Sequence, residues 1–216
     1  MFSEEFIPLT PVNFFQLSIG SPSLPEKGGF PYLNKKNYLK YLLPNTSELC
    51  GEESFAEVAL GWNRDGIEVY IRVDSPFVKS VYPQVDRGDS VEIFIDTRDV
   101  KTSGFNTKFC HHFFFFAEGV EGVFAGEITH FRTEDAHPLC DPVDLKVKTS
   151  NHKTSYDLNV FIPREVLHGY DPEQFTRLGF SYRINRLGGM PQHFSVVTND
   201  YHIDQQPSLW SSLELT

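Results

Sequence analysis

The sequence predicts an all-β protein, a single antiparallel β-sandwich (residues 51–216) with an N-terminal extension, residues 1–50, packed along it. Three observations lead there. Aromatic residues make up 14% of the 216, with 20 Phe and 9 Tyr, and such side chains favour pleated, half-buried surfaces. Fifteen Gly and 14 Pro punctuate the chain at the short intervals that turns require. Regularly spaced short apolar stretches follow one another with no repeat, low-complexity segment or linker between them, and only two stretches read as helical.

Taken in order, Phe14–Ile19 reads as a first strand, closed by Gly20 and the Pro-rich 21–31. Residues Asn34–Leu43 have the composition for one or two helical turns, stopped at Pro44. Ala56–Trp62 and Ile67–Val73 form a hairpin, because the intervening Asn63-Arg64-Asp65-Gly66 ends in the Asp-Gly pair that tight turns favour. Asp89–Asp96 is the cleanest strand. It alternates Val91, Ile93 and Ile95 on one face with Ser90, Glu92, Phe94 and Asp96 on the other. Phe109–Phe116 is bulky on both faces, so both are expected to be covered. Val123–Phe131, Leu145–Thr149, Tyr156–Ile162, Leu178–Asn185, His193–Val197 and Ser211–Leu215 complete the strands. Pro163–His168 reads as a short helix with Pro at its first position.

Charge and cysteines narrow the function. Nineteen Lys and Arg against 29 Asp and Glu give a net charge of −10. That balance disfavours nucleic acid, whose binding begins with cations neutralising phosphates, and equally disfavours an anionic membrane surface. Residues 1–10 carry two acids, no Lys or Arg and no apolar core, unlike a secretory signal. Cys50, Cys110 and Cys140 are an odd number in a chain long enough to close a core without staples, so reduced thiols and a cytoplasmic location are expected.

Few side-chain patterns carry chemistry. Glu92 and Asp96 share one strand face, where they either bind a ligand's hydroxyls or a cation, lie on a solvated sheet face, or pair with Arg183 or Arg98. Their spacing is not that of carboxyls facing each other across a glycosidase cleft. Cys110, His111, His112, His130, His137 and Cys140 are the densest set of metal-ligand types. Cys110 and His112 point to one face and could meet His137 or Cys140 there, yet no CxxC or HxxxH spacing is present. The alternative is a buried thiol beside hydrogen-bonded imidazoles, and no metal or other cofactor is expected. The 185–192 loop (NRLGGMPQ) offers Asn185, Arg186 and Gln192 as rim recognition residues, or is a hairpin loop that needs its glycines. Arg98, just beyond the best strand, is a second rim candidate. Trp62 and Trp210 fall within or beside strands and read as packing residues. Gly28-Gly29 and the 51–54 segment (GEES) lack the Lys and the strand–helix context of a phosphate loop, and no nucleophile elbow is present, so no enzyme is expected.

The segments WNRDGIEVYIRVD (62–74) and GDSVEIFID (88–96), followed by LGFSYRIN (178–185) and PSLWSSLEL (207–215), resemble the family 9 carbohydrate-binding modules and their DOMON-like relatives over about residues 56–215. The resemblance implies a jelly-roll-like sandwich of two antiparallel sheets, with ligand on one sheet face and the rim loops. Sugar-binding members hold a terminal sugar between two Trp rings above polar side chains, since a pyranose C–H face packs on an aromatic and its hydroxyls need polar partners. On that pattern Glu92 matches a polar contact. The first stacking position falls at about Asp86, with Tyr82 the nearby aromatic, and the second around Val196 beside Phe194. The polar positions of the following strand fall on Phe114 and Phe116. Some DOMON-like relatives hold haem through an axial Met. Here Met190 is the one methionine within the region, with His193 three residues away on the same loop or His112 as a distant partner. The leading expectation is a non-catalytic domain for a saccharide or another polyhydroxylated ligand. The alternative is an interaction or scaffolding protein that has the fold without the sugar site and binds a partner protein. Haem or metal binding stands third.

Overall fold

The computed structural model describes residues 17–26, 29–196 and 202–216. Among them are eleven strands, β1 Ser18–Ser21, β2 Ala56–Asn63, β3 Gly66–Val73, β4 Ser90–Asp96, β5 Cys110–Val120, β6 Val123–Glu127, β7 Lys146–Asn151, β8 Tyr156–Pro163, β9 Arg177–Asn185, β10 Gln192–His193 and β11 Ser211–Leu215. They form two sheets. The larger runs β1-β11-β9-β4-β5-β6, with β10 also paired to β9, and the smaller runs β2-β3-β8-β7. All pairings are antiparallel except β1 with β11, which is parallel.

The inward faces follow the period-two pattern. Val91, Ile93 and Ile95 of β4 and Phe113 and Phe115 of β5 bury against Ile67, Val69 and Ile71 of β3 and Leu158, Val160 and Ile162 of β8. Such burial stabilises by about 1.5–3 kcal/mol for each large apolar side chain. The β2–β3 hairpin closes where Asn63 Oδ1 accepts the Asp65 N–H at 2.9 Å and Gly66 takes φ +148°. Only glycine fits there, because a Cβ would lie 2.2 Å from the Ile162 carbonyl oxygen.

The outward face of the larger sheet is covered over much of its area. Phe94, Cys110, Val196, Ile203 and Trp210 form a second apolar cluster at one end of it, and Val85, Phe114 and Phe116 a third at the other. Phe113 to Phe116 therefore serve two cores, as their bulk on both faces predicts.

Several local expectations are corrected. The 34–43 stretch does hold one helical turn, the 3-10 turn Tyr38–Tyr41, and Asn37 Oδ1 accepting the Asn34 N–H and Asn34 Oδ1 the Lys36 N–H keep its start as a turn. Pro163 ends β8, opposite Gly66, and the 164–169 segment is a chain of turns rather than a helix. A four-residue helix, α1 Ser47–Cys50, stands where no element is expected. Of the first strand expected at Phe14–Ile19, residues 14–16 lie outside the described residues, and the strand runs on to Ser21. The strand expected at His193–Val197 is the two-residue β10, and Val197 lies outside the described residues. The first 50 residues are more than a covering: β1 is a strand of the larger sheet, and Leu24, Leu33, Tyr38 and Tyr41 pack on Ala59 and Tyr70 of the smaller. Cys50, Cys110 and Cys140 are free thiols, and Trp210 is buried. Among the described residues no helix is long and apolar enough to cross a membrane.

Candidate functional site

The register of β4 gathers polar groups on the outward face of the larger sheet. Glu92 stands opposite Arg183 of β9 and Phe114 of β5, Ser90 opposite Asn185, and Phe94 opposite His112. Cross-strand partners share a face, so these side chains meet. The Glu92 carboxylate is 0% exposed and accepts four bonds: from Arg183 Nε and Arg183 NH2 at 2.7 Å each, Asn185 Nδ2 at 2.6 Å and His112 Nε2 at 2.7 Å. Burial pushes this carboxyl up, but the His112 and Arg183 contacts outweigh burial and hold it well below the usual carboxylate range. Burial likewise would lower the Arg183 pKa, and Glu92, with Asp204 and Asp86 nearby, reverses the direction.

This overturns the expectation of Glu92 as a direct ligand contact. Its lone pairs are saturated and it has no solvent-facing surface. Arg183, whose side chain is 12% exposed, is the group through which the cluster meets its surroundings. Tyr82 is 43% exposed, its ring 5.9 Å from that of Phe114 and tilted by 33°. Exposed Asp86 occupies the neighbouring turn. Phe114 flanks Glu92 on one side and Arg183 flanks it on the other, so Tyr82 lies on the Phe114 side, and Asp86 bears electrostatically on Arg183.

The remaining rim candidates do not join it. Asn185 is buried, donating to Glu92 and, at 2.9 Å, to Ser90 Oγ. Gln192 is also buried. Its Oε1 accepts the Phe55 and Ala56 N–H groups at 2.8 Å each and its Nε2 donates to the Ala56 carbonyl, so it ties the start of β2 to β10 and offers nothing to a rim. Arg186 covers the Phe55 ring and pairs with Glu53. Arg98 lies past Asp96, which is itself about 13 Å along the strand from Glu92. Its guanidinium stacks between Phe109 and Phe175 and donates to the Gly169 carbonyl.

The expected grouping of metal-ligand types also separates. Cys110 and His112 lie on the outward face, whereas His137 and Cys140 meet His111 and Glu127 elsewhere. Glu127 Oε1 lies 2.9 Å from His111 Nδ1, 2.8 Å from His137 Nε2 and 2.7 Å from Thr129 Oγ1, and its Oε2 accepts the Cys140 N–H. Three ligand atoms, from His111, Glu127 and His137, fall within 4.8 Å of one another. The hydrogen bonds fit a metal at His137, whose Nδ1 donates to the Lys108 carbonyl and turns its Nε2 toward Glu127, but not at His111. His111 Nε2 accepts the His168 N–H at 3.0 Å, so its proton sits on Nδ1, the nitrogen that would have to ligate. Burial lowers the His111 pKa, in keeping with a neutral ring, and burial's upward push on Glu127 is outweighed by its two histidine partners. The cluster is a buried polar network fastening residues 137–140 to β5 and β6.

Sequence reasoning reached Arg183 only as an ion-pair partner and missed Glu127 altogether. The signal for Arg183 was present, since FSYRIN alternates and places Arg183 with Asn185. Glu127 gave none beyond a lone acid in an apolar strand.

No protein-family model matches the chain, and no curated protein matches it. Among solved structures the fold is similar to that of a family 9 carbohydrate-binding module from Caldicellulosiruptor kristjanssonii in complex with cellotriose. The TM-score is 0.66 at 17% identity, covering 93% of this chain and 94% of that one. A family 9 carbohydrate-binding module from the same organism in complex with glucose gives a TM-score of 0.64 at 18% identity, covering 93% and 95%. A candidate carbohydrate-binding protein from Bacteroides uniformis gives 0.54 at 10% identity, covering 93% and 98%. The likeness extends over nearly the whole of each chain and establishes the family 9 module-like sandwich.

Proposed function

We propose that the chain is a non-catalytic saccharide-binding domain whose ligand lies on the outward face of the larger sheet, against the Tyr82 ring and the guanidinium of Arg183. The observation that carries this reading is an exposed aromatic ring, Tyr82, packed on Phe114 to one side of the buried Glu92 carboxylate, with Arg183 held by that carboxylate on its other side. A pyranose presents a C–H face to the ring and hydroxyls to the arginine and Asp86. The cellotriose and glucose held by structures of the same fold support the ligand class. A binding role without chemistry is favoured because Glu92 is fully hydrogen-bonded and held ionised, so it has no proton to donate as a general acid.

The test is isothermal titration of the full chain with glucose, cellotriose and a panel of other neutral oligosaccharides, repeated on Tyr82→Ala. Binding by one sugar class that falls at least tenfold in the variant is expected. A panel without heat or thermal shift, or a variant that binds as well as the parent, would overturn the assignment.

One observation favours the second reading, an interaction domain. Phe124 and Val143, 48% and 81% exposed, line an apolar groove of about 390 Å³ between the edge strands β6 and β7. Retention of a partner that a Phe124→Asp variant no longer holds would favour this alternative.

A further inference from the structure

The N-terminal segment crosses only part of the smaller sheet. Leu33 and Tyr38 bury against Ala59 and Tyr70 of β2 and β3 and leave the strip over β8 and β7 uncovered. A cavity of about 480 Å³ lies there, between that segment and the edge strand β7. Lys35 and Lys36 border it on one side and Lys148 and Ser150 on the other, with Asp157 and Asn159 as its floor.

The charges do not balance. Asp157 is the one carboxylate in the lining, and it is already engaged. It lies 2.9 Å from Lys35 Nζ and accepts the Tyr70 hydroxyl at 2.8 Å, with His152 Nε2 at 3.2 Å. Among the described residues Lys36 and Lys148 pair with no carboxylate. Two uncompensated cations at one concavity, on a chain of net charge −10, focus a local positive field. The cavity is of small-ligand size, larger than a bare inorganic anion fills. Asn159 Nδ2 donates to the Leu33 carbonyl at 2.7 Å, which leaves its oxygen as an acceptor for a hydroxyl. One pleat further along β8, half-buried Phe161 lies 6.1 Å from the Phe30 ring with Lys146 Nζ 5.3 Å from its centre, and its remaining surface adjoins the cavity's end.

We propose that this strip is a second ligand site, for a saccharide carrying a carboxylate or sulfate, with the anionic group among Lys35, Lys36 and Lys148 and a neighbouring ring along Phe161. The anionic character comes from the lysines alone. The choice of a saccharide over another anion rests on the function proposed above.

The test is titration of the full chain with a trigalacturonate, a sulfated disaccharide, neutral cellotriose, acetate and inorganic sulfate, at low and moderate salt. Lys36→Glu and Lys148→Glu are compared with Lys79→Glu, a charge control outside the cavity. The expected result is binding of the acidic sugars that weakens with salt, falls about tenfold or more in each cavity variant and is unchanged in Lys79→Glu and Tyr82→Ala. A response confined to trigalacturonate, or to the sulfated sugar, identifies which anion is preferred and supports the site. Equal binding of cellotriose, equal effects of all three lysine variants, or acetate and sulfate matching the acidic sugars would each overturn it. Loss of acidic-sugar binding in Tyr82→Ala but not in Lys148→Glu would place the anion on the larger sheet and also overturn it. Failure of the first reading appears separately, as neutral sugars that never bind or are indifferent to Tyr82.

Discussion

Replacing Glu92 by Ala removes the acceptor of four hydrogen bonds from a position with no solvent access. The Arg183 guanidinium, only 12% exposed, then loses the carboxylate that accepts two of its hydrogen bonds, and Asn185 and His112 each lose a bond. Breaking a buried ion pair from one side costs about 3–5 kcal/mol, because the remaining charge stays desolvated. For a chain of this size each kcal/mol moves Tm by about 2–4 °C, so a fall of about 6–20 °C is expected. A total stability of about 5–15 kcal/mol leaves the variant folded at room temperature unless the parent is at the low end. The companion variant, Glu92→Met with Arg183→Met, removes both charges together. Since apolar replacement of a whole buried pair is often neutral, the double variant is expected to be more stable than Glu92→Ala. Differential scanning calorimetry of the parent, Glu92→Ala, the single variants Glu92→Met and Arg183→Met, and the double variant measures the coupling. A Glu92→Ala shift below about 2 °C, or a double variant that loses the sum of the two singles, would refute the account of Glu92 as an internal anchor for Arg183.

Other expectations follow from the same structure. Gln192→Ala strands the buried Phe55 and Ala56 N–H groups and costs about 1–3 kcal/mol in urea unfolding while leaving saccharide affinity unchanged. Gly66→Ala forces a side chain onto the Ile162 carbonyl at a positive φ and costs about 1–3 kcal/mol in the same assay. Stability also falls with acid, in two stages. Burial keeps His111 neutral in the folded chain, so below about pH 6.5 the unfolded chain takes up a proton the folded one refuses. Glu92 and Glu127, whose folded carboxyls are held down by their partners, contribute stability that is present above about pH 4.3 and is lost as the pH falls further. A Tm constant from pH 7 to pH 4 would contradict this. Finally, burial pushes the Cys50 thiol up to about 11 and those of Cys110 and Cys140 up to about 12. An aromatic disulfide reagent at pH 8 should therefore label the native chain far more slowly than the urea-unfolded one, in which three thiols react.

The alternation in GDSVEIFID was enough to place β4 and its inward face, because a strand with one apolar side has one stable orientation. The bulk of Phe113 to Phe116 likewise announced a strand covered on both sides. What the sequence did not disclose was what covers the polar side of β4. Trp210 and Ile203 reach it from the far end of the chain, and only the completed fold brings them there. Glu92, an apparent surface acid, is made interior by Arg183, Asn185 and His112, which bond it on the same face. The rim candidates failed for a related reason. Asn185 and Gln192 look like loop residues, yet each sits at the end of a strand whose side chains turn inward to bond β4 and β2. The lysine-lined cavity was illegible because its two walls come from residues 35–36 and 148–150, and local patterns carry no information about pairings of that range.

The pairing of β1 with β11 has a consequence for how the molecule comes together. Ser18 donates to Glu214 across a separation of 196 residues, and the parallel register alongside it joins the earliest described strand to the last. During synthesis the early strand has no partner until nearly everything after it has emerged. Closing so long a loop is entropically costly, and contacts of such range slow folding. The edge of the larger sheet is therefore the last part to form and, by the same token, the first place where the molecule can come undone. Removing β1 would uncover β11 as a new, unpaired edge, so an early truncation exposes a strand made at the opposite end of the chain.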